Sequence, residues 1–281
     1  MLRACTLLVN GVGVTHCDTV YIVIDGYIDP RCYKGQVPPG RVRLPTGPRS
    51  PARGTRVGAR ERRHPVRAGR RELWTFHLGY GALCLDFANT TSWRGSRAPV
   101  DHLPDYEELV RFALQSKLIA EDDARQLRRE ALRRPAAAAR VLRQAVTLRE
   151  ALYRIFAGLA GGRRPLPADL ATLNASLPSA LTPLQVSAGR DGFVWRWEGE
   201  PGALERLLWP VARDAAVFLT SMNLSRLRTC ANPRCRWVFH DGTRSGTRRW
   251  CSMAFCGNRA KVGRFRQRRR AARARLAPPR R

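Results

Sequence analysis

Apolar residues recur with the spacing of amphipathic helices over most of residues 72–225. Asp105 with Glu108 three positions later is typical of a helix start, and the acidic residues 121–123 suit the positive end of a second helix. Pro135 begins a longer run in which apolar residues keep helical spacing. Helices are therefore predicted from Asp105, from Glu121, from Pro135 to Gly161, over 168–176 and over 202–224.

Alternating apolar residues interrupt this pattern once, at residues 184–197. The runs 184–186 and 193–197 flank the turn-forming residues 189–192, an arrangement typical of a β-hairpin. Earlier in the chain, residues 73–91 predict a short strand, a turn at two glycines and the opening of a helix. The sequence therefore predicts a mainly α fold with a small β-hairpin.

Residues 1–71 differ in character from the rest of the chain. Proline, glycine and arginine crowd residues 38–71, and apolar periodicity is absent there. Such a segment buries too little surface to offset its ordering entropy, so we expect a disordered leader. A second hypothesis is that translation starts near residue 70 and that the leader reflects a wrongly assigned start. A peptide from residues 1–30, found by mass spectrometry of the native protein, would overturn that hypothesis.

Four of the eight cysteines form two matched pairs near the C-terminus. Each pair has four residues between its cysteines, and fifteen residues separate the two pairs. Zinc accepts four thiolates in a tetrahedron, which two short loops supply with little strain. Four thiolates also leave no open position for water, so we predict one structural zinc ion. The predicted ligands are Cys230, Cys235, Cys251 and Cys256.

Residues 226–281 are predicted to form a small zinc-binding module around these ligands. Residues 237–239 look like a strand and residues 248–250 like its returning partner, which together give a β-hairpin or knuckle. So few apolar residues lie here that the module needs a metal to fold. His240 is expected on the surface or behind the ligands, because four sulfurs complete the shell. Four buried free thiols and an iron–sulfur cluster are the alternatives to zinc.

A formal net charge of +29 favours a polyanionic partner, although a GC-rich genome also enriches arginine. No acidic residue follows Asp241, and residues 258–276 predict an arginine-rich helix. Guanidinium groups bind phosphate oxygens through a planar fork, which favours a nucleic acid over a merely solvated basic run. The helix lacks an apolar face for a membrane surface. The candidate phosphate contacts are Arg244, Arg248, Arg249, Arg259, Lys261, Arg264, Arg266, Arg268, Arg269 and Arg270.

Three polar residues have both a functional and a structural interpretation. Asn258 opens the basic helix and suits either a contact with an adenine edge or a helix cap. Asp86 and Asn89 lie among apolar residues and suit either the ligand pocket of a sensor or hydrogen bonds to backbone groups. The five histidines fit no recognisable catalytic arrangement, so we expect no enzymatic activity.

Two motifs in the chain resemble known bacterial families. Residues 256–259, Cys-Gly-Asn-Arg, followed by Lys261 and the arginine run, resemble the CGNR zinc finger of bacterial regulators. Residues 83–90, Leu-Cys-Leu-Asp-Phe-Ala-Asn-Thr, resemble the opening of the ABATE domain, which commonly precedes this finger. The resemblance covers residues 73–270. It implies a stress-induced transcription regulator in which an ABATE-like domain over 72–225 precedes a DNA-binding finger.

These features predict a cytoplasmic, nucleoid-associated protein that regulates transcription through zinc-dependent DNA binding. The helical domain would sense a signal or mediate assembly, and a homo-oligomer is compatible with the sequence. Two other classes stay open: an RNA-binding protein, and a protein-interaction module whose zinc is purely structural. No membrane partner is expected, because no apolar stretch reaches the roughly 18–20 residues that span a bilayer.

Overall fold

The computed structural model describes residues 74–190 and 192–276, with side chains up to residue 269. The predicted disordered leader, residues 1–71, lies outside the described residues. Helices in the described part are α1 (Leu83–Ala88), α2 (Tyr106–Gln115), α3 (Glu121–Arg133), α4 (Pro135–Ala160), α5 (Pro167–Leu181), α6 (Trp209–Ser221) and α7 (Asn258–Leu276). The strands are β1 (Thr91–Ser92), β2 (Val100–Asp101), β3 (Leu184–Gly189), β4 (Gly192–Trp197), β5 (Leu227–Thr229) and β6 (Val238–His240). The prediction of a mainly α fold with small hairpins is confirmed.

The helix starts follow the local signals in the sequence. The Asp105 carboxylate accepts the backbone N–H of Glu108 at 3.0 Å, which caps the first turn of α2. Asp123 in the first turn of α3 accepts the N–H of Ala120 at 3.2 Å. Pro135 is the first residue of α4, where its missing N–H costs nothing. Short-range chemistry therefore sets these three boundaries.

Two helix predictions have the wrong bounds. The helix predicted over 168–176 runs on to Leu181, past Pro178, because tertiary contacts hold its last turn. In that turn Ala180 is fully buried, and its carbonyl accepts the indole N–H of Trp197 at 2.7 Å. The helix predicted over 202–224 begins only at Trp209, after a 3₁₀ turn, because Pro210 is tolerated only in a first helical turn.

The strand predicted in the first half of 73–91 is not formed, since residues 74–79 have no regular structure. Side chains take the backbone donors that a strand partner would need. The N–H of Phe76 donates to the Gln115 amide oxygen at 2.7 Å. The N–H groups of Gly79 and Tyr80 donate to the Asp86 carboxylate at 3.0 and 2.8 Å. The helix predicted in the second half is α1.

The core of the helical region, residues 76–222, surrounds the long helix α4. Helices α1, α2 and α5 pack against it, and α6 contacts it through Phe218, whose ring centroid lies 5.5 Å from that of Phe156. The side chains of Phe87, Phe112 and Phe156 are almost completely buried, and Phe112 contacts Phe87 edge-on with 5.5 Å between the ring centroids. In the described part of the chain, no helix is long and apolar enough to cross a membrane.

The strands form three antiparallel hairpins. The predicted hairpin is β3–β4, in which Val186 lies opposite Trp195. The pairing predicted inside the module is wrong. Strand β6 pairs with β5, so that Arg228 lies opposite Phe239, and residues 248–250 form no strand. The reason is that the N–H of Arg248 donates to the Asp241 carboxylate at 2.8 Å instead of to a strand.

Candidate metal centre and basic surface

The four predicted cysteine ligands meet in one buried cluster. Their sulfur atoms all lie within 4.8 Å of one another. The sulfur–sulfur distances Cys235–Cys251 and Cys251–Cys256 are both 3.7 Å. A tetrahedron with zinc–sulfur bonds of about 2.3 Å has sulfur–sulfur edges of about 3.8 Å. The cluster therefore has the size and the donor set of a four-thiolate zinc site.

The first pair of ligands flanks a tight turn after β5. The carbonyl of Asn232 accepts the N–H of Cys235 at 2.9 Å, and its side-chain oxygen accepts the N–H of Arg234 at 3.1 Å. The amide nitrogen of Asn232 also donates to the sulfur of Cys256 at 3.5 Å. Asn232 therefore shapes the first loop and ties it to a ligand of the second pair.

The second pair of ligands flanks the turn that opens α7. The Ser252 hydroxyl accepts the N–H of Phe255 at 3.3 Å and caps the turn Met253–Gly257, which contains Cys256. Helix α7 follows this turn without a break. The metal ligand Cys256 therefore fixes the position at which the basic helix α7 begins.

The thiols in this cluster influence each other's protonation. Hydrogen bonds among the four thiols lower the pKa of Cys230 and raise the pKa values of Cys235 and Cys251. Zinc binds all four sulfurs as thiolates, so its binding displaces the protons that the raised pKa values keep on Cys235 and Cys251. The chemistry of the donor set therefore agrees with its geometry, and these four cysteines hold one zinc ion.

Asp241 organises the loop between the two ligand pairs. Its buried carboxylate accepts the N–H and the hydroxyl of Thr243 at 3.0 and 2.6 Å, together with the N–H of Arg248. Burial opposes the charged form, but these hydrogen bonds hold the pKa of Asp241 below its usual value. The carboxylate therefore stays charged at neutral pH and folds the loop back to the ligands.

Arg248 stabilises the same loop between the two ligand pairs. Its guanidinium lies 4.5 Å from the centroid of the Phe239 ring and donates to the carbonyls of Trp250 and Cys251. The side chain is half-buried. Two of its guanidinium nitrogens thus donate inside the finger, and its role as a phosphate contact stays a prediction.

The finger, residues 226–276, docks on the helical region through backbone groups. The Asn89 side chain exchanges two hydrogen bonds with Val238, donating to its carbonyl at 2.8 Å and accepting its N–H at 3.0 Å. The N–H of His240 donates to the carbonyl of Tyr80 at 2.8 Å. All three pairings are made by buried residues, so strand β6 gains partners that the finger itself does not provide.

Aromatic packing completes this docking surface. Trp237 is buried against Tyr80, with 5.2 Å between the ring centroids, and its indole N–H donates to the carbonyl of Thr91 at 2.8 Å. His240, expected on the surface or behind the ligands, is buried against Phe218 of α6 with centroids 5.8 Å apart. Trp237 and His240 of the finger thus face the helical region.

Asp86 and Asn89 both bind backbone groups. Asp86 holds the N–H groups of Gly79 and Tyr80, which places the Tyr80 carbonyl where it accepts from His240. Burial raises the pKa of Asp86 to about 7, although these N–H groups favour the carboxylate. These contacts agree with the structural interpretation of the motif, in which both side chains form hydrogen bonds to backbone groups. A ligand-binding role for the two residues stays a prediction.

The remaining basic candidates lie on the surface in two groups. Arg244 and Arg249 belong to the loop before the second ligand pair, and both are exposed. The others in the described side chains are exposed along α7: Arg259, Lys261, Arg264, Arg266, Arg268 and Arg269. Arg270 lies in α7, and its side chain is outside the described part. Asn258 does not cap α7 and instead donates to the carbonyl of Ala254 at 3.1 Å.

Sequence reasoning missed the loop between β1 and β2, residues 93–99. Trp93 in this loop lies beneath the guanidinium groups of Arg259, at 4.6 Å, and Arg234, at 5.9 Å. The sequence signal was the run Ser-Trp-Arg-Gly-Ser-Arg at residues 92–97, a tryptophan followed by two arginines with no acidic neighbour. Its proximity to the finger required the tertiary structure.

The four-cysteine cluster identifies the class of the protein: it is a zinc-finger protein whose finger is fused to a helical region. The family model described as "Putative stress-induced transcription regulator", ABATE, matches residues 81–222. The model of the CGNR zinc finger matches residues 226–269. The chain therefore belongs to the ABATE family and carries a CGNR zinc finger, as the two motifs predicted. No curated protein matches the sequence.

Proposed function

We propose that this protein regulates transcription by binding DNA through α7 and the adjacent finger, with zinc holding the two in place. The observation that carries the proposal is the surface of α7. From Lys261 to Arg269 every residue except Gly263 is exposed, and no acidic residue follows Asp241. None of the basic side chains described on α7 forms an ion pair within the described residues. Uncompensated guanidinium groups along a helix attract phosphates.

The dimensions of α7 support this role. Its 19 residues give a length of about 28 Å at 1.5 Å per residue. The major groove of B-DNA is about 12 Å wide and admits an α-helix. Because the ligand Cys256 lies directly before α7, zinc sets the direction in which the helix leaves the finger. Removing zinc would leave the arginines in place but lose their common orientation.

For the helical region we propose a role in sensing a signal or in assembly. The tip of the β3–β4 hairpin supports a contact with a partner, because Phe193 is 82% and Val186 57% exposed on it. Both side chains lie on the same face of the hairpin, given the pairing of Ala188 with Phe193 and of Val186 with Trp195. The proposal assigns the protein no catalytic role and places it with the chromosome in the cytoplasm.

The test uses the full chain, because strand β6 depends on partners in the helical region. Fluorescence anisotropy measures binding to mixed-sequence duplex DNA over a salt series, with zinc bound and after chelation. We expect affinity to fall steeply with salt, because neutralised phosphates release counterions. We also expect chelation to weaken binding strongly. The variant Arg264→Ala/Arg268→Ala should bind less tightly and show a salt slope reduced by about 2.

A matched control removes two exposed arginines from α4 instead, Arg140→Ala/Arg143→Ala, and should bind like the wild type. Equal losses in the two double variants would mean that net charge alone attracts the DNA. Tighter binding of duplex RNA than of duplex DNA would favour the RNA-binding alternative. No binding at low salt would favour a protein-interaction module with a structural zinc.

A further inference from the structure

The loop between β1 and β2, residues 93–99, is docked on the first metal knuckle, which is the turn of residues 230–236 that carries Cys230 and Cys235. The N–H of Gly95 donates to the carbonyl of Arg234 at 3.1 Å. A Cβ atom at Gly95 would lie only 1.8 Å from the Pro233 carbonyl oxygen, so no side chain fits there. The loop and the knuckle therefore present one continuous surface rather than two separate ones.

A second contact anchors the same loop to α4. The Arg94 guanidinium forms a bidentate pair with Glu150 at 2.6 and 3.0 Å and lies 3.9 Å from the centroid of the Tyr153 ring. Its side chain is only 10% exposed. The hydroxyl of Tyr153 donates in turn to the carbonyl of Arg236 in the knuckle, at 3.1 Å. The loop is thus held from two sides, and its neighbouring residues have defined positions.

Between the loop and the knuckle lies an open cleft of about 470 Å³. It is lined by Trp93, Gly95, Ser96, Arg97, Ala98 and Arg234. None of these residues is acidic. Arg259, the first arginine of α7, also contacts Trp93, with its guanidinium 4.6 Å from the ring centroid, so the basic helix begins beside the cleft.

The arginines around this cleft have no compensating charge. Arg97, Arg234 and Arg259 are exposed, and none of them forms an ion pair within the described residues. The Trp93 ring holds two of the guanidinium groups by cation–π contact, which limits their freedom before any ligand arrives. Clustered and oriented guanidinium groups without a carboxylate partner are suited to an oxyanion, and their fork geometry matches a phosphate.

We propose that this cleft binds a phosphate group of the nucleic acid that α7 holds, so that the helical region takes a direct part in recognition. Arg97 of the loop and Arg234 of the knuckle supply the donors. Arg259 links the cleft to the phosphates along α7. The inference rests on the proposed function, since it extends the same footprint from the finger onto the β1–β2 loop.

The test compares Arg97→Ala with Arg140→Ala in the zinc-loaded full chain. Both side chains are exposed and outside any ion pair of the described residues, and Arg140 precedes Tyr153 by about 20 Å along α4. We expect Arg97→Ala to lower DNA affinity several-fold and to reduce the salt slope by about 0.9, the value for one phosphate. Arg140→Ala should leave the slope unchanged. Zinc content and melting temperature verify that both variants are folded.

The outcomes separate the inference from the proposed function. Arg97→Ala with a wild-type slope, alongside a reduced slope in the α7 double variant, overturns the inference and leaves the α7 proposal intact. Absence of DNA binding by the wild type overturns both. A third arm adds inorganic phosphate without DNA and follows the melting temperature. If phosphate stabilises the wild type but not Arg97→Ala, and Arg97→Ala binds DNA like the wild type, the ligand of the cleft is free phosphate and not a phosphate group of a nucleic acid.

Discussion

The helical region and the finger reach a folded state by different means. The helical region buries large side chains such as Phe87, Phe112 and Phe156 among its own helices. In the finger, Trp237 is buried against the helical region, while Phe255 and Met253 remain 55% and 54% exposed. A segment this small lacks the apolar area to order itself, so it combines a metal with a neighbour's surface. The finger is therefore a part of the whole fold and not an appended module.

Removing the zinc is the strongest way to test this comparison. Replacing Cys251 with serine should abolish stoichiometric zinc and unfold the finger, since structural zinc contributes on the order of 10 kcal/mol of apparent binding energy. The helical region should keep its helices but melt at a lower temperature, because α1 and α4 lose the contacts of β5 and β6. Zinc analysis and circular dichroism over a temperature range measure both effects.

A matched substitution at another buried cysteine serves as the control. Cys84 is buried in α1 outside the metal cluster, so Cys84→Ser should retain one zinc ion per chain. Unchanged zinc content in Cys251→Ser would contradict the assignment of the ligands. Loss of all helical signal in the same variant would show that the helical region also needs the metal.

A substitution of Asn89 tests how much the contact with the helical region stabilises the finger. Asn89→Ala leaves the buried N–H and carbonyl of Val238 without this partner, at about 1–3 kcal/mol for each group. We expect a loss of about 2–6 kcal/mol in the free energy of unfolding and faster zinc release to a chelator. Asn174→Ala, at an exposed position of α5, should change neither quantity. Normal zinc release in Asn89→Ala would mean that the finger is stable by itself.

The smallest expected effect is a pH dependence of the free energy of unfolding. It originates from Asp86, which lies on the helical side of the docking surface. Its folded-state pKa of about 7 lies above the ordinary value of 3.8, so the protonated form stabilises the fold. That stability is complete below the unfolded-state pKa and is lost as pH rises through the folded-state pKa. The loss should be about 2 kcal/mol between about pH 5.5 and pH 8.

Urea denaturation of zinc-loaded protein across this pH range measures the dependence. Asp86→Asn should remove the part of the profile that Asp86 contributes, and leave the parts that come from His102, His240 and Asp214, whose pKa values are also shifted. Asp122→Asn, at a carboxylate that is 83% exposed, should keep the wild-type slope. An identical profile in Asp86→Asn and the wild type would show that another group titrates.

Local signals were enough to predict the helix starts at Tyr106, Glu121 and Pro135, because a cap or a proline acts within one turn. The spacing of the four cysteines was also enough to predict the metal site, because two short loops with two thiols each supply tetrahedral coordination with little strain. The motif at 256–259 was enough to identify the finger, because it is a contiguous run of residues.

Other features depended on residues far apart in the chain. The partner of β6 is β5 rather than residues 248–250, because Asp241 takes the N–H of Arg248. Asn89 serves Val238, which lies 149 positions later, and no local pattern encodes that pairing. Likewise, Trp93 meets Arg234 and Arg259 only because the β1–β2 loop packs on the metal knuckle. Short-range patterns specify elements and ligands, whereas burial and the need to satisfy backbone groups decide which of them come together.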